Sequence, residues 1–144
     1  MKKILIFSLL LASSLSVGAD PRENEELHPI DVNLTHCLSL EKNMTTSGME
    51  RCTIEAIKEW DSELNRTYKA LMSQLDTPSK EQLKLAQRAW VKYKELEIKN
   101  ISSIYRYSFH SGNGGSMLIP MQAMDELEIT KSRTLELTGY LSII

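Results

Sequence analysis

Few side chains in this sequence have the types and spacing that chemistry requires. The three histidines, His28, His36 and His110, are scattered, and a Ser-His-Asp or Cys-His arrangement needs the nucleophile held against its base. Glu59 and Glu63 stand at i,i+4. Glycoside hydrolysis would also require one acid in an apolar pocket opposite a second carboxylate, and these two are interleaved with Lys58 and Arg66 on a solvated face. Asp125, Glu126 and Glu128 could be offered to a metal, but a solvated acidic helical turn accounts for them. No His-Glu-x-x-His, phosphate-loop or dinucleotide signature is present. The sequence therefore assigns no catalytic residue, no metal ligand and no cofactor, and reads as that of a non-enzyme.

The two cysteines are chemically informative once the N-terminus is read. Lys2 and Lys3 form a positive n-region, Ile4 to Leu11 is apolar apart from Ser8, and small residues continue to Val17. Val17-Gly18-Ala19 places small side chains at the −3 and −1 positions of a cut after Ala19, the pattern of a secretory signal peptide. The stretch falls short of the ~20 apolar residues of a spanning helix, and no later segment approaches that length. The expectation is a soluble product in the periplasm or the medium. In an oxidising compartment Cys37 and Cys52 would form a disulfide; a metal site or a reactive thiol are the alternatives.

The chain has 17 basic and 19 acidic residues. Removing Lys2 and Lys3 with residues 1–19 leaves 15 against 19, a net charge of −4. That balance argues against a nucleic-acid binder, which would show a basic face, and would mildly favour a cationic partner. The remaining length fits one domain.

The elements that must position any site are helical. Residues 20–36 carry Pro21, Pro29 and several carboxylates and read as an extended N-terminal segment; 37–144 form the helical domain. The short Lys2-Lys3 n-region has a bacterial look, and on that expectation four Asn-x-Ser/Thr triplets, at Asn33, Asn43, Asn65 and Asn100, read as chance matches. Met49, Cys52, Ala56, Ile57, Trp60, Leu64, Tyr68, Leu71 and Leu75 recur at three- and four-residue steps, which predicts a helix from about Ser47 to Leu75. A second helix starts at Ser79, with Gln82 completing a capping box, or at Thr77-Pro78. Its stripe is Leu83, Ala86, Trp90, Tyr93, Glu97, Ile101 and Ile104 (or Tyr105), fading near Ser108. A third runs from around Ser116 or Pro120 to about Leu141. The expected class is all-α: a helical hairpin or small three-helix bundle with a third packed helix and one disulfide.

Between the last two helices lies Ser111-Gly112-Asn113-Gly114-Gly115, which must be a loop. Tyr105, Arg106, Tyr107, Phe109 and His110 lead into it, and Tyr and Arg are enriched at binding hot spots. Either these rings and the loop residues Asn113, Gly114, Gly115 and Ser116 meet a partner, or the rings are buried on the bundle. In the latter case the loop only connects, with Gly112 ending one helix and Ser116 capping the next.

The run Cys52-x-x-x-Ala56-x-x-x-x-Asp61-x-Glu63-Leu64-Asn65-x-x-Tyr68 resembles the first half of the LprI-type lysozyme inhibitor domain. Leu83-x-x-Ala86-Gln87-Arg88-Ala89-Trp90-Val91-x-Tyr93 resembles its second signature. Gly114-Gly115-Ser116 and Thr130-x-x-Arg133-Thr134-x-x-Leu137 are similar to its closing elements. The likeness spans roughly residues 37–141 and implies an exported, helical, disulfide-tied protein that binds a protein partner, a cationic lysozyme. The family's second cysteine pair is missing here; Ile98 and Asp125 stand at about those places, which bears on how rigidly the second and third helices are linked.

Among the matched residues, Trp60, Tyr68, Trp90 and Tyr93 are expected as core aromatics, alongside Leu64 on the apolar stripe. Asp61, Asn65, Gln87, Arg88 and Arg133 are expected as a polar network with a bidentate Arg-carboxylate pair at its centre. Lysozyme inhibition by occlusion is the leading reading, with the loop entering the enzyme's cleft. An envelope interaction or immunity protein with a non-lysozyme target is the alternative.

Overall fold

The computed structural model describes residues 27–144. The signal peptide expected over 1–19 and its cut after Ala19 lie outside them. Four α-helices, α1 (Pro29–Ser39), α2 (Thr46–Gln74), α3 (Thr77–His110) and α4 (Leu118–Leu141), and a 3₁₀ turn at Glu41–Asn43 make up the fold, with no strand among the described residues. The all-α class holds.

The helix α1 corrects the expectation of an extended segment through residue 36. Pro29 sits at the start of this helix, where its missing N–H costs nothing, and His28 caps it by accepting from the Ile30 N–H at 3.3 Å. Ile30 and Leu34 are one turn apart and both buried. The Cys37–Cys52 disulfide then ties α1 to α2. Between them Asn43, itself buried, donates from Nδ2 to the Cys37 carbonyl at 2.9 Å and accepts from Arg51 at 2.8 Å. A Cβ at Gly48 would stand 2.6 Å from the Asn43 backbone, so α2 can approach this turn only with glycine there.

The first long helix, α2, is capped by Thr45, whose Oγ1 accepts from the Gly48 N–H. The next, α3, is capped by Asp76 accepting from the Ser79 N–H at 2.9 Å, with Pro78 in its first turn. The helix thus begins at Thr77, and the cap is the residue before both expected starts. Helix α4 begins at Leu118 on a turn in which the Leu118 N–H donates to the Gly115 carbonyl; Ser116 supplies no side-chain cap, which corrects that role.

Contacts give the helix directions. His28 lies against Trp60 while Cys37 meets Cys52, so α1 runs antiparallel to α2. Thr53 meets Met124 and the Trp60 carbonyl meets Thr134, so α2 and α4 run parallel. Ser102 meets Gln122 and Gln87 meets Arg133, so α3 returns antiparallel to α4. One core cluster joins Ile30, Leu34, Cys52, Ala56, Trp60 and Leu127; a second joins Leu64, Leu71, Leu83 and Leu137. The small side chains of Thr53, Thr67, Thr130 and Thr134 are also buried on α2 and α4, the most extensively packed helix pair of the fold. Thr134 satisfies its hydroxyl on the Thr130 carbonyl at 2.8 Å. Helix α3, 34 residues and so about 51 Å long, leans chiefly on α4.

Candidate functional site

The loop end of the molecule is where α3 stops and α4 begins. Gly112, in the left-handed region at φ +71°, turns the chain, and the Asn113 N–H closes onto the Ser108 carbonyl at 3.1 Å. This is the arrangement that ends a helix on glycine, as expected of Gly112. Asn113, Gly114, Gly115 and Ser116 are all exposed, and Leu118 folds back over Gly114, leaving no room for a Cβ.

The approach to the loop is open on most of its faces. Tyr107 is 73% exposed and Phe109 53% exposed; Arg106 and His110 are exposed, and His110 stands edge-on to Phe109 at 6.0 Å. The bundle therefore does not bury these rings. Tyr105 is the exception: it is half-buried, and its hydroxyl donates to Asp125 at 2.6 Å. That donation to a carboxylate pushes the phenol up to about 12. Tyr105 forms a ridge between two grooves. One, of about 250 Å³, is lined by Arg106, Phe109, Leu118, Ile119 and Gln122. The other, of about 260 Å³, is lined mainly by Leu38, Met49, Met117, Pro120, Met121 and Met124.

The sequence reading did not single out this second groove. The signal available was the i,i+4,i+7 spacing of Met117, Met121 and Met124, one face of a helix; Met49 and Tyr105 join them only through the topology.

The signature residues divide. Trp60 and Leu64 are core, Trp60 being fully buried against His28 with ring centroids 4.4 Å apart. Tyr68 and Trp90 are half-buried at the edge of the lower cluster, and Tyr93 is 52% exposed, so it is not a core aromatic. The polar residues do not form one network. Asn65 donates to the Asp61 carbonyl at 2.8 Å, and Asp61 pairs with Lys94 of α3 at 3.0 Å. Separately, the buried Arg133 donates from Nε to Gln87 at 3.1 Å and from Nη1 to Glu136 at 2.7 Å, which holds the Glu136 carboxyl below its ordinary range. Arg133 thus spends its fork on two partners, so no bidentate pair forms among these residues; the bidentate Arg-carboxylate pair among the described residues is Arg66 on Glu63. Arg88 is exposed and lines an open groove with Asn65, Tyr68, Lys84, Gln87 and Val91.

Elsewhere Glu63 is paired with Arg66, whose hydrogen bond lowers its carboxyl, so this carboxylate is occupied by a surface ion pair. Among the described residues no three His, Cys, Asp or Glu side chains gather as a metal site, and no described helix is long and apolar enough to cross a membrane.

These features define a disulfide-stapled helical domain with an exposed aromatic run and glycine loop at one end. The family model described as lysozyme inhibitor LprI matches residues 37–137, and the chain belongs to that family. No curated protein matches it in sequence. A crystal structure of an uncharacterised protein from Burkholderia thailandensis superposes with a TM-score of 0.72 at 24% identity, a likeness of fold; the match covers 80% of this chain and 54% of that one, so this chain spans about half its length.

Proposed function

We propose that this protein is exported to the periplasm or the medium and inhibits a lysozyme by occluding its cleft, without turnover. The observation that carries this reading is the exposed aromatic run of Tyr107 and Phe109, leading into the exposed loop 112–116 at one end of a stapled base. Aromatic rings carried on a helix lose few rotamers on docking, and Tyr and Arg are enriched in such contacts. Membership of the LprI family supplies the partner class, a protein such as lysozyme.

Charge sharpens the proposal. Residues 27–144 hold 14 basic and 15 acidic side chains, so the folded domain is close to neutral, and most of the acidic excess lies in Asp20, Glu23, Glu25 and Glu26. Steering of a cationic enzyme would come from that N-terminal stretch, while the loop end would supply the contact.

Purified protein should slow the lysis of cell walls by a lysozyme with a stoichiometric end point. Replacing Tyr107 and Phe109 together by alanine should weaken inhibition by about 30-fold, the scale of a 2 kcal/mol hot spot. Absence of inhibition at molar excess over several lysozyme types would sink the proposal. Capture of a different effector from envelope extract would then favour the non-lysozyme reading.

A further inference from the structure

We infer that the methionine groove beside the loop binds a soft monovalent metal cation, Cu(I) or Ag(I), through the thioether sulfurs of Met49, Met117, Met121 and Met124. Of the chain's seven methionines, these four line one groove of about 260 Å³. Met121 and Met124 share one face of α4, with Cβ atoms about 5–6 Å apart, and Met117, the residue just before the helix, has helical φ and ψ and extends the same row. Met49 reaches the same groove from α2. Each side chain has three rotatable bonds and no branch, which gives each sulfur reach across the groove the four residues share.

Packing alone does not explain these residues. Met117 is 48% exposed, Met121 50% and Met124 36%; they fill no core space. The groove is nearly all apolar apart from the sulfurs, which suits a weakly hydrated soft ion, and it is open to solvent for entry.

The donor set decides which ion. Thioethers favour Cu(I) over the oxygen-seeking cations, and zinc is held by Cys, His and carboxylate ligands rather than by Met. Both cysteines are bonded to each other, so no thiolate competes for the ion. Thr53 gives its hydroxyl proton to the Met49 carbonyl at 3.0 Å and only touches Met124 Sδ, at 3.5 Å, so the sulfur's lone pairs stay available. On the rim, the Asp125 carboxylate, held by Tyr105 at 2.6 Å, supplies one negative charge beside a monocation.

The test is Ag(I), which does not change oxidation state, added to purified protein labelled at the methionine methyls. Four resonances, those of Met49, Met117, Met121 and Met124, should shift and saturate at one equivalent, while Met44 and Met72 should not. In anaerobic competition against a chromophoric chelator, the protein should withdraw one equivalent of Cu(I). The variant M117L/M121L/M124L should lose more than about 100-fold in affinity, and M72L none. Leucine for methionine conserves volume, and circular dichroism checks that the helices persist. No methyl shift at excess Ag(I), or wild-type Cu(I) affinity in the triple variant, would overturn the assignment; the latter would move the metal to the imidazoles. Because the readout is metal alone, a failure here leaves the inhibition assay to be judged separately.

Discussion

The two longest helices, α2 and α3, follow one another in the chain and are amphipathic alike, yet they meet different fates. Eight of the 29 residues of α2 are buried, against two of the 34 of α3, Leu83 and Ile101. The reason is the number of neighbours. Helix α2 lies between α1 and α4 and is stapled by Cys37–Cys52, whereas α3 leans mainly on α4 and is fixed to the rest by polar side chains: Lys94 to Asp61, Gln87 to Arg133, Ser102 to Gln122, Tyr105 to Asp125. One half of the molecule is a base held by apolar burial. The other is an arm that carries the loop and is held by contacts that water, salt and pH can reach.

The largest expected effect tests that contrast with two tryptophans. Trp60, fully buried in the α1–α2–α4 cluster, should cost about 3–5 kcal/mol on truncation to alanine. Trp90, half-buried on α3 with Lys94 Nζ 5.5 Å from its ring, should cost less than about 2 kcal/mol. Equal losses in chemical denaturation would mean that α3 belongs to the core after all. Next comes the staple. Replacing Cys37 and Cys52 by serine opens a loop with a sequence separation of 15 residues and should cost about 3 kcal/mol. Hydrogen exchange should show the loss first in α1, whose 11 residues are too few to stand as a helix alone, with the α3 amides little changed. Coincident loss in both helices would show the two regions to be one cooperative unit.

How much of this was legible follows the same division. The extents of α2, α3 and α4 were readable from three- and four-residue periodicity, which reports the residues that share a helix face. It does not report whether another element arrives to cover that face, and so Tyr93 was expected in the core and stands exposed. Helix α1 was missed because Pro29 and the preceding acidic residues read as a lead-in, although Ile30, Leu34 and Leu38 already stood at helical spacing. The disulfide followed from the export pattern and the count of two cysteines. Of the candidate site, the aromatic approach and the glycine loop were visible as composition. The methionine groove was not, since Met49 is far in sequence from Met117, Met121 and Met124 and only the parallel run of α2 and α4 joins them. The polar signature was read as one network because residue types do not say which partner is near: Arg133 found Gln87 and Glu136, and Asp61 found Lys94.

Arg133 is the buried end of one of the links that hold the arm, and its effect should be intermediate. Exchange for methionine keeps the stem and removes the hydrogen bonds to Gln87 and Glu136, at a cost of about 2 kcal/mol, because bonds from a charged donor are among the stronger ones. The Glu136 carboxyl is held low by Arg133, so its contribution is present above the ordinary carboxylate range and is lost as pH falls through the lowered folded value. Acid should therefore narrow the gap between the wild type and the Arg133→Met variant. A gap that stays constant down to strongly acidic pH would assign the loss to packing and the Gln87 hydrogen bond, with no part for Glu136.

The smallest expected effect lies at the far end of the arm. The register set by Gln87–Arg133 and Ser102–Gln122 brings Asp125 to about the level of Ile98, near where the family resemblance places the missing second cysteine pair. Here the helices are joined instead by the Tyr105 hydroxyl on Asp125. Tyr105→Phe should lower stability by about 1 kcal/mol at neutral pH, a charge-assisted hydrogen bond discounted for solvent. The sign with pH is fixed by the raised phenol. A group whose folded value stands at about 12 against an ordinary value of 10.0 stabilises fully below the ordinary value and loses its contribution as pH rises toward the folded one. The difference between the wild type and Tyr105→Phe should accordingly hold to about pH 10 and close on the way to about 12, whatever other tyrosines and lysines do to both proteins alike. Exchange protection in the last turns of α3 should fall in the variant without change in α2. If it does not, the loop is positioned by the Leu118–Gly114 contact, and the arm is stiffer than its few buried residues suggest.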